Sequence, residues 1–188
     1  MKAIVLAAGF STRMGELKQV MDIAGMPMVR QVADSLLVAG LEVLVIIGHL
    51  HTRVMEVLYD LPCECILNSK PEQGMFSSVK LGCARVEPGS ACLITPCDCP
   101  GVLPATIQQV QEALQYHQTK VVIPTFQGHR GHPVGLPAYL VDTIRTLPPT
   151  TPGLNSLWRE TPDLVAHVEV DDPAVLRDFD RPEDMRSG

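Results

Sequence analysis

Short apolar runs alternate with longer amphipathic stretches along this chain. Ala3 to Leu6, Val43 to Ile47, Glu64 to Leu67, Cys92 to Thr95, Val121 to Ile123 and Val165 to Val170 each read as a strand. Most are apolar throughout rather than alternating, which is the pattern of strands buried on both faces. Between them, Met28 to Ala39 repeats Val29, Val32, Ala33, Leu36 and Leu37 on one helical face. Pro27 suits the first turn of that helix and Gly40 its end. Thr52 is expected to cap a short helix reaching Tyr59. A further helix is expected to run from Ser77–Ser78 to Ala84, another to open at Pro104 with Ile107, Val110, Ala113 and Leu114 inward, and a last one to start at Pro182. Pro148 to Pro152 reads as a surface connector. The alternation predicts an α/β fold: a largely parallel sheet covered by helices on both faces. Residues 1–188 are expected to form one domain, without internal repeats. Ligands of such sheets bind beyond the carboxyl ends of the strands, so the segments that follow strands carry the candidate chemistry.

The first of these is Leu6-Ala-Ala-Gly-Phe-Ser-Thr-Arg-Met-Gly-Glu-Leu-Lys18. Small residues and Gly9 let backbone N–H groups approach phosphate oxygens. Ser11 and Thr12 add neutral hydrogen bonds, and Gly15 allows a sharp bend. Arg13 and Lys18 add positive charge, about 1.5–3 kcal/mol for each well-made charged hydrogen bond. The spacing is neither that of a P-loop nor that of a dinucleotide fingerprint. Ordinary strand-to-helix loops also carry glycines and basic residues, and that reading stands beside the phosphate one.

Composition narrows the classes. At 46% hydrophobic residues the 188-residue chain is not disordered or fibrous. A formal net charge of −6 argues against a nucleic-acid binder. No run has the length of a membrane span and Met1-Lys2 leads directly into a strand, so a cytoplasmic protein is expected. The six cysteines, Cys63, Cys65, Cys83, Cys92, Cys97 and Cys99, are expected to be reduced thiols packed as small apolar residues. One-residue spacing in Cys63-x-Cys65 and Cys97-x-Cys99 is tighter than that of structural zinc pairs.

Asp98, flanked by Pro96-Cys97 and Cys99-Pro100 just after a strand, has the character of a ligand for a hard cation. Magnesium takes one or two carboxylates together with phosphate oxygens. A second carboxylate is therefore expected among Asp171 to Asp184, with Asp180 as the candidate; each acid there can equally be a helix cap or a solvated charge.

The leading loop resembles the signature Leu-Ala-Ala-Gly-x-Ser-x-Arg-Met-Gly-x-x-Lys of the MobA/MocA-like nucleotidyltransferases of molybdenum cofactor biosynthesis. Asn68…Gly74-Met75-x-Ser77-Ser78 looks like their second motif. Thr95-Pro96-Cys97-Asp98-Cys99-Pro100 resembles their Cys-Asp-Gln-Pro motif, and Gly131-His132-Pro133-Val134 their Gly-His-Pro-Val motif. Asp178-Phe179-Asp180-Arg181-Pro182-Glu183-Asp184 is similar to Asp-Ile-Asp-Thr-Pro-Glu-Asp. The motifs occur in the family's order. Departures are Cys99 for Gln, Arg181 for Thr, and Thr151-Pro152-Gly153-Leu154 where a Gly-Asp-x-Gly-type segment is expected.

The resemblance implies a three-layer α/β/α, nucleotide-diphospho-sugar transferase-like (Rossmann-like) fold and a magnesium-dependent transfer of a nucleoside monophosphate. CMP from CTP onto the terminal phosphate of molybdopterin is the first expectation. GTP, or a sugar-phosphate acceptor, is the alternative within the enzyme class, and a non-catalytic cofactor-binding maturation factor serving a client molybdoenzyme the alternative outside it. Arg13 and Lys18 are expected on the triphosphate, and Leu6, Ala7, Ala8, Gly9, Ser77 and Ser78 around the base and sugar. Asp98 and Asp180 are expected to hold magnesium and His132 to face the acceptor, a place where a structural histidine would also serve.

Overall fold

The computed structural model describes residues 1–9, 18–48 and 51–179. Arg13, Ser11, Thr12, Gly15, Asp180 and the helix expected from Pro182 lie outside the described residues. Strand β1 (Lys2–Ala7) is followed, from Lys18, by a 3-10 turn and a small antiparallel hairpin, β2 (Asp22–Ile23) and β3 (Met26–Pro27). Then come α1 (Met28–Val38), β4 (Glu42–Ile47), α2 (His51–Leu58), β5 (Cys63–Leu67), α3 (Met75–Cys83), β6 (Cys92–Pro96) and α4 (Pro104–Tyr116). The remainder is β7 (Val121–Phe126), β8 (His129–Arg130), β9 (Val134–Leu136), α5 (Ala138–Thr146) and β10 (Val165–Glu169), then a 3-10 turn at Pro173–Leu176.

The main sheet runs β10-β7-β9-β6-β1-β4-β5, with β8 paired to β7. β1, β4, β5 and β6 are mutually parallel, as are β7 and β10, and β9 is antiparallel to both its neighbours. Alternate residues of β1 feed two cores: Ala3, Val5 and Ala7 pack with α1, α2 and α4 on one face, and Ile4 packs with α3 and α5 on the other. Both faces being covered is why the strand has no polar positions to spare. Each fully buried side chain, such as Phe76 or Ile107, contributes about 1.5–3 kcal/mol by leaving water. Gly82 lets α3 lie against β1, because a Cβ there would sit 2.6 Å from Ile4 Cγ2.

Several elements differ from the pattern reading. Thr52 lies within the first turn of α2, which already includes His51, so it is not the cap. α3 begins at Met75 with Gly74 as N-cap at φ +93°, so Ser77 and Ser78 sit inside the helix. β7 continues beyond Ile123: Pro124 gives the ladder no N–H, yet its carbonyl accepts from Gly131 N at 2.8 Å. α5 is an element that the pattern reading does not assign, although Leu140, Val141 and Ile144 are spaced for a helix.

From β1 the chain adds β4 and β5 on one side, then returns to place β6 on the other. β1 and β6 therefore flank the point where strand order reverses, and a crevice opens beyond their carboxyl ends. Leu6 and Pro96 are register partners at that edge.

Candidate active site

A cleft of about 1030 Å³ opens there. Leu6, Ala8 and Gly9 from the end of β1 line it, together with Lys18, the segment 95–99, Ser78 of α3 and His132. Cys97 N donates to Leu6 O at 3.1 Å, tying the two loops together at their roots. Gln19, only 2% exposed, donates its Nε2 to Gly9 O at 2.7 Å and to Ala7 O at 3.2 Å. It thereby pins the first strand end to the segment after the loop. Gly48 is pressed against this same corner: a Cβ there would lie 2.6 Å from Ala8 O.

Lys18 and Asp98 meet across the crevice. The Lys18 ammonium donates to Asp98 Oδ2 at 2.8 Å, and the two side chains are 10% and 21% exposed. Asp178 Oδ1 stands 3.8 Å from the same ammonium. Asp98 is held from behind, since Phe179 N donates to its backbone carbonyl at 3.3 Å. The Cys99 thiol lies 3.8 Å from Asp98 Oδ1 as a weak donor. Burial, reinforced by the Asp98 charge, pushes the thiols of both Cys97 and Cys99 well above the ordinary range, so they stay protonated. Asp98 is thus the anionic centre of its loop.

On the opposite wall, Asn68 at the end of β5 organises α3. Its Nδ2 donates to Ser77 Oγ at 2.8 Å and to Ser78 Oγ at 3.0 Å, while its Oδ1 accepts from Lys70 N at 2.9 Å. Ser77 Oγ in turn donates to Gly74 O at 2.7 Å. Ser77 and Ser78 do not cap α3, whose N-cap is Gly74; their oxygens accept from Asn68 instead. Ser78 keeps its place in the cleft wall.

His132 enters from the third side, on a cis peptide bond to Pro133. Its backbone N donates to Val175 O at 2.9 Å. Its Nδ1 is buried and has no hydrogen-bond partner among the described residues. Burial pushes the imidazole below its ordinary value, and the charge of Asp98 opposes that shift. The ring is therefore neutral at neutral pH. Gly131 allows this approach, because a Cβ there would lie 2.7 Å from the Val175 carbonyl carbon.

The structure brings together Leu6, Ala8, Gly9, Lys18, Ser78, Asp98 and His132 as cleft-lining residues. Ala7 is 1% exposed and contributes through its carbonyl to Gln19. Ser77 is held by Asn68 one position from the wall. The ammonium of Lys18, the residue expected on the triphosphate, pairs with Asp98. Asp172, one of the tail acids, is a cap: 3% exposed, it accepts from Ala174 N at 3.0 Å, Leu103 N at 2.9 Å and Thr106 Oγ1 at 2.9 Å. Gln19 and Trp158, the single tryptophan, belong to the cleft without having been singled out from sequence. Nothing in the residue pattern around Gln19 signals its role, which is set by the return of the chain beside β1.

Could the site hold a divalent cation? Among the described residues no group of three or more His, Cys, Asp or Glu side chains is gathered for a metal. The Asp98 carboxylate already bears a positively charged partner at 2.8 Å. A hard oxygen donor carrying a stand-in cation fits a magnesium-type ion that draws its other ligands from phosphate and water. No helix among the described residues is long and apolar enough to cross a membrane.

Comparisons with known proteins place the chain among relatives of the same fold. A probable molybdenum cofactor guanylyltransferase of Natronomonas pharaonis is 28% identical over 130 residues, which are 64% of this chain and 60% of that protein. The chain thus spans less than two thirds of that relative's length. The crystal structure of Rv0371c from Mycobacterium tuberculosis superposes with a TM-score of 0.86 at 23% identity, covering 98% of this chain and 94% of that one. Rv0371c has also been crystallised in complex with manganese, and that structure gives a TM-score of 0.80 at 20% identity over 98% and 95% of the two chains. A nucleotidyl transferase from Methanothermobacter thermautotrophicus gives 0.81 at 23% identity over 97% and 93%. The three-layer α/β/α fold is therefore shared with these solved structures. Residues 3–167 match the model of the MobA-like NTP transferase domain, and the chain belongs to that family.

Proposed function

We propose that this chain is a cytoplasmic, divalent-cation-dependent nucleotidyltransferase that moves a nucleoside monophosphate onto a phosphorylated acceptor, with CTP as donor and molybdopterin as acceptor. The observation that carries the reading is the pairing of Lys18 with Asp98 at the β1/β6 edge, 2.8 Å apart in a cleft large enough for both substrates. A cation-handling carboxylate and a phosphate-handling ammonium are what phosphoryl transfer needs side by side.

In this reading a terminal phosphate oxygen of the acceptor attacks the α-phosphorus. The bond from that phosphorus to the oxygen bridging to the β-phosphate breaks, and pyrophosphate leaves. A phosphate monoester with a second pKa near ~6 is largely ionised at neutral pH, so no general base is required. The protein's task is alignment and charge. Asp98, with Asp180 as its partner, would hold magnesium, which supplies charge neutralisation at the phosphate oxygens when bound. Lys18 and Arg13 take the triphosphate and the leaving pyrophosphate. Leu6 to Gly9 and the Asn68-organised Ser77–Ser78 turn hold the base and sugar. His132, neutral and half-buried, lines the acceptor side.

GTP is the second reading for the donor, favoured by the name of the Natronomonas relative. The Ala7-Ala8-Gly9 start favours CTP, since it looks more like the cytidylyl than the guanylyl branch of the family. Incubation of the protein with molybdopterin and either nucleotide, followed by mass spectrometry of the product, separates the readings. Molybdopterin cytosine dinucleotide is the expected product. The guanine dinucleotide would move the assignment to GTP, and neither product would remove molybdopterin as acceptor.

A further inference from the structure

Lys18 takes a constrained place in the cleft. Its side chain belongs to the cleft wall, and its ammonium is engaged there by carboxylates. It is on Asp98 at 2.8 Å, with Asp178 at 3.8 Å, and its side chain is 10% exposed. Buried charge this close is not an incidental surface pair, because both groups are largely removed from water and neither can be left without a counter-charge cheaply. Gln19, the next residue, anchors this arrangement through the carbonyls of Ala7 and Gly9. The lysine is thus followed directly by a residue tied to the end of β1.

The ammonium sits on Oδ2 of Asp98, and a dication on Oδ1 would lie within a few ångströms of that positive charge, where like-charge repulsion opposes it. We propose that Lys18 is a built-in counter-ion that blocks Asp98 against free divalent cations, and that it yields the carboxylate only when a nucleotide brings the metal with it. The inference rests on the reading of Asp98 as metal ligand and adds an order of binding to it. The physical logic is an exchange of partners. Before nucleotide arrives, the ammonium neutralises Asp98. A metal–triphosphate complex offers the carboxylate a cation of higher charge and offers the ammonium a phosphate oxygen in return. Both charges stay paired at every stage. A bare metal ion offers only the first half of the exchange and would strand the ammonium beside a dication, which like-charge repulsion disfavours. Metal and nucleotide binding are then positively coupled, and linkage makes the coupling reciprocal. The benefit for the site is that nucleotide-free protein does not retain a metal in an unproductive position.

The test is binding of Mn2+ to the full chain, followed by electron paramagnetic resonance of the free ion, without nucleotide and then with a non-hydrolysable CTP analogue (and the GTP analogue in parallel). Wild type is expected to bind Mn2+ weakly alone and at least roughly tenfold more tightly with an analogue, in the range of ordinary coupling. Lys18→Gln is expected to bind Mn2+ alone roughly tenfold more tightly than wild type and to lose most of the coupling. Lys18→Arg, which keeps the charge, is expected to stay like wild type. In Lys18→Gln/Asp98→Asn the gain is expected to vanish, and circular dichroism checks that each variant is folded. Nucleotide-free Mn2+ affinity no higher in Lys18→Gln than in wild type would overturn the counter-ion. If instead Asp98→Asn alone binds Mn2+ with the analogue as wild type does, Asp98 is not the ligand, and the functional reading fails with the inference.

Discussion

Asn68 Nδ2 lies 3.0 Å from Ser78 Oγ and 2.8 Å from Ser77 Oγ, so one amide at the end of β5 fixes two hydroxyls of α3. Asn68 and Ser78 are 7% and 4% exposed, and the same amide's oxygen takes Lys70 N–H. Removing the amide leaves buried groups without partners, a cost of about 1–3 kcal/mol. Asn68→Ala is therefore expected to weaken nucleotide binding roughly tenfold by calorimetry, that being about 1.4 kcal/mol, while secondary structure is retained. Unchanged affinity would show that the serine turn does not face the nucleotide.

Gly131 and Val175 are in backbone contact. A Cβ on Gly131 would fall on the Val175 carbonyl and lie 2.8 Å from Val175 Cβ. The turn at 173–176 would have to shift, at a cost of about 1–3 kcal/mol for overpacking. At roughly 2–4 °C per kcal/mol for a chain of this size, Gly131→Ala is expected to lower Tm measurably in a thermal melt. It is also expected to disturb His132, whose N–H bonds to Val175 O. A melt identical to wild type would show that the turn gives way freely.

Asp172 joins the late 3-10 turn to the start of α4 through Leu103, Thr106 and Ala174. Asp172→Ala leaves three donors unpaired in a buried place. A loss of about 2 kcal/mol or more is expected in urea unfolding, the upper range of a lost cap. Thr106→Val removes one of those donors and is expected to cost less than Asp172→Ala. The reverse order would contradict the clamp.

Cys63 and Cys65 lie two residues apart on edge strand β5, so their side chains share a face. A hydrogen bond from Cys65, with Arg30 nearby, lowers the Cys63 thiol to about 7 from an ordinary 9.0. The reactive species is the thiolate, so alkylation of Cys63 by iodoacetamide is expected to rise with pH through about 7. Cys97 and Cys99, held protonated, are expected to remain unmodified in the folded protein. Peptide mapping of labelled protein checks the order. Cys65→Val is expected to move the Cys63 profile upward in pH, and an unmoved profile would reject the hydrogen bond as its cause.

The layers and the edge that carries the site were legible because β1, β4 and β6 are short, continuous apolar runs that only burial on both faces explains. Motifs placed after β1 and β6 then fell at one crevice. β9 runs antiparallel to its neighbours, a direction that three residues, Val134-Gly135-Leu136, cannot signal. β7 was cut short because Pro124 reads as a strand breaker, whereas the Gly131 N–H supplies its carbonyl with a partner from outside the strand. The Lys18–Asp98 pair spans 80 residues and is created by topology alone. The same holds for Asn68: besides its local bond to Lys70 N, its amide is engaged by serines nine and ten residues away.

The most direct test of the central claim is transfer of label from α-³²P-CTP to molybdopterin, with Mg2+, by wild type and Asp98→Asn in parallel. The account predicts labelled dinucleotide and free pyrophosphate from wild type. It predicts a loss of at least roughly a hundredfold in the variant, the scale of removing a group that stabilises transition-state charge. Full transfer by Asp98→Asn would contradict the metal-centred mechanism. Nucleotide binding with no transfer by either protein would contradict molybdopterin as the acceptor.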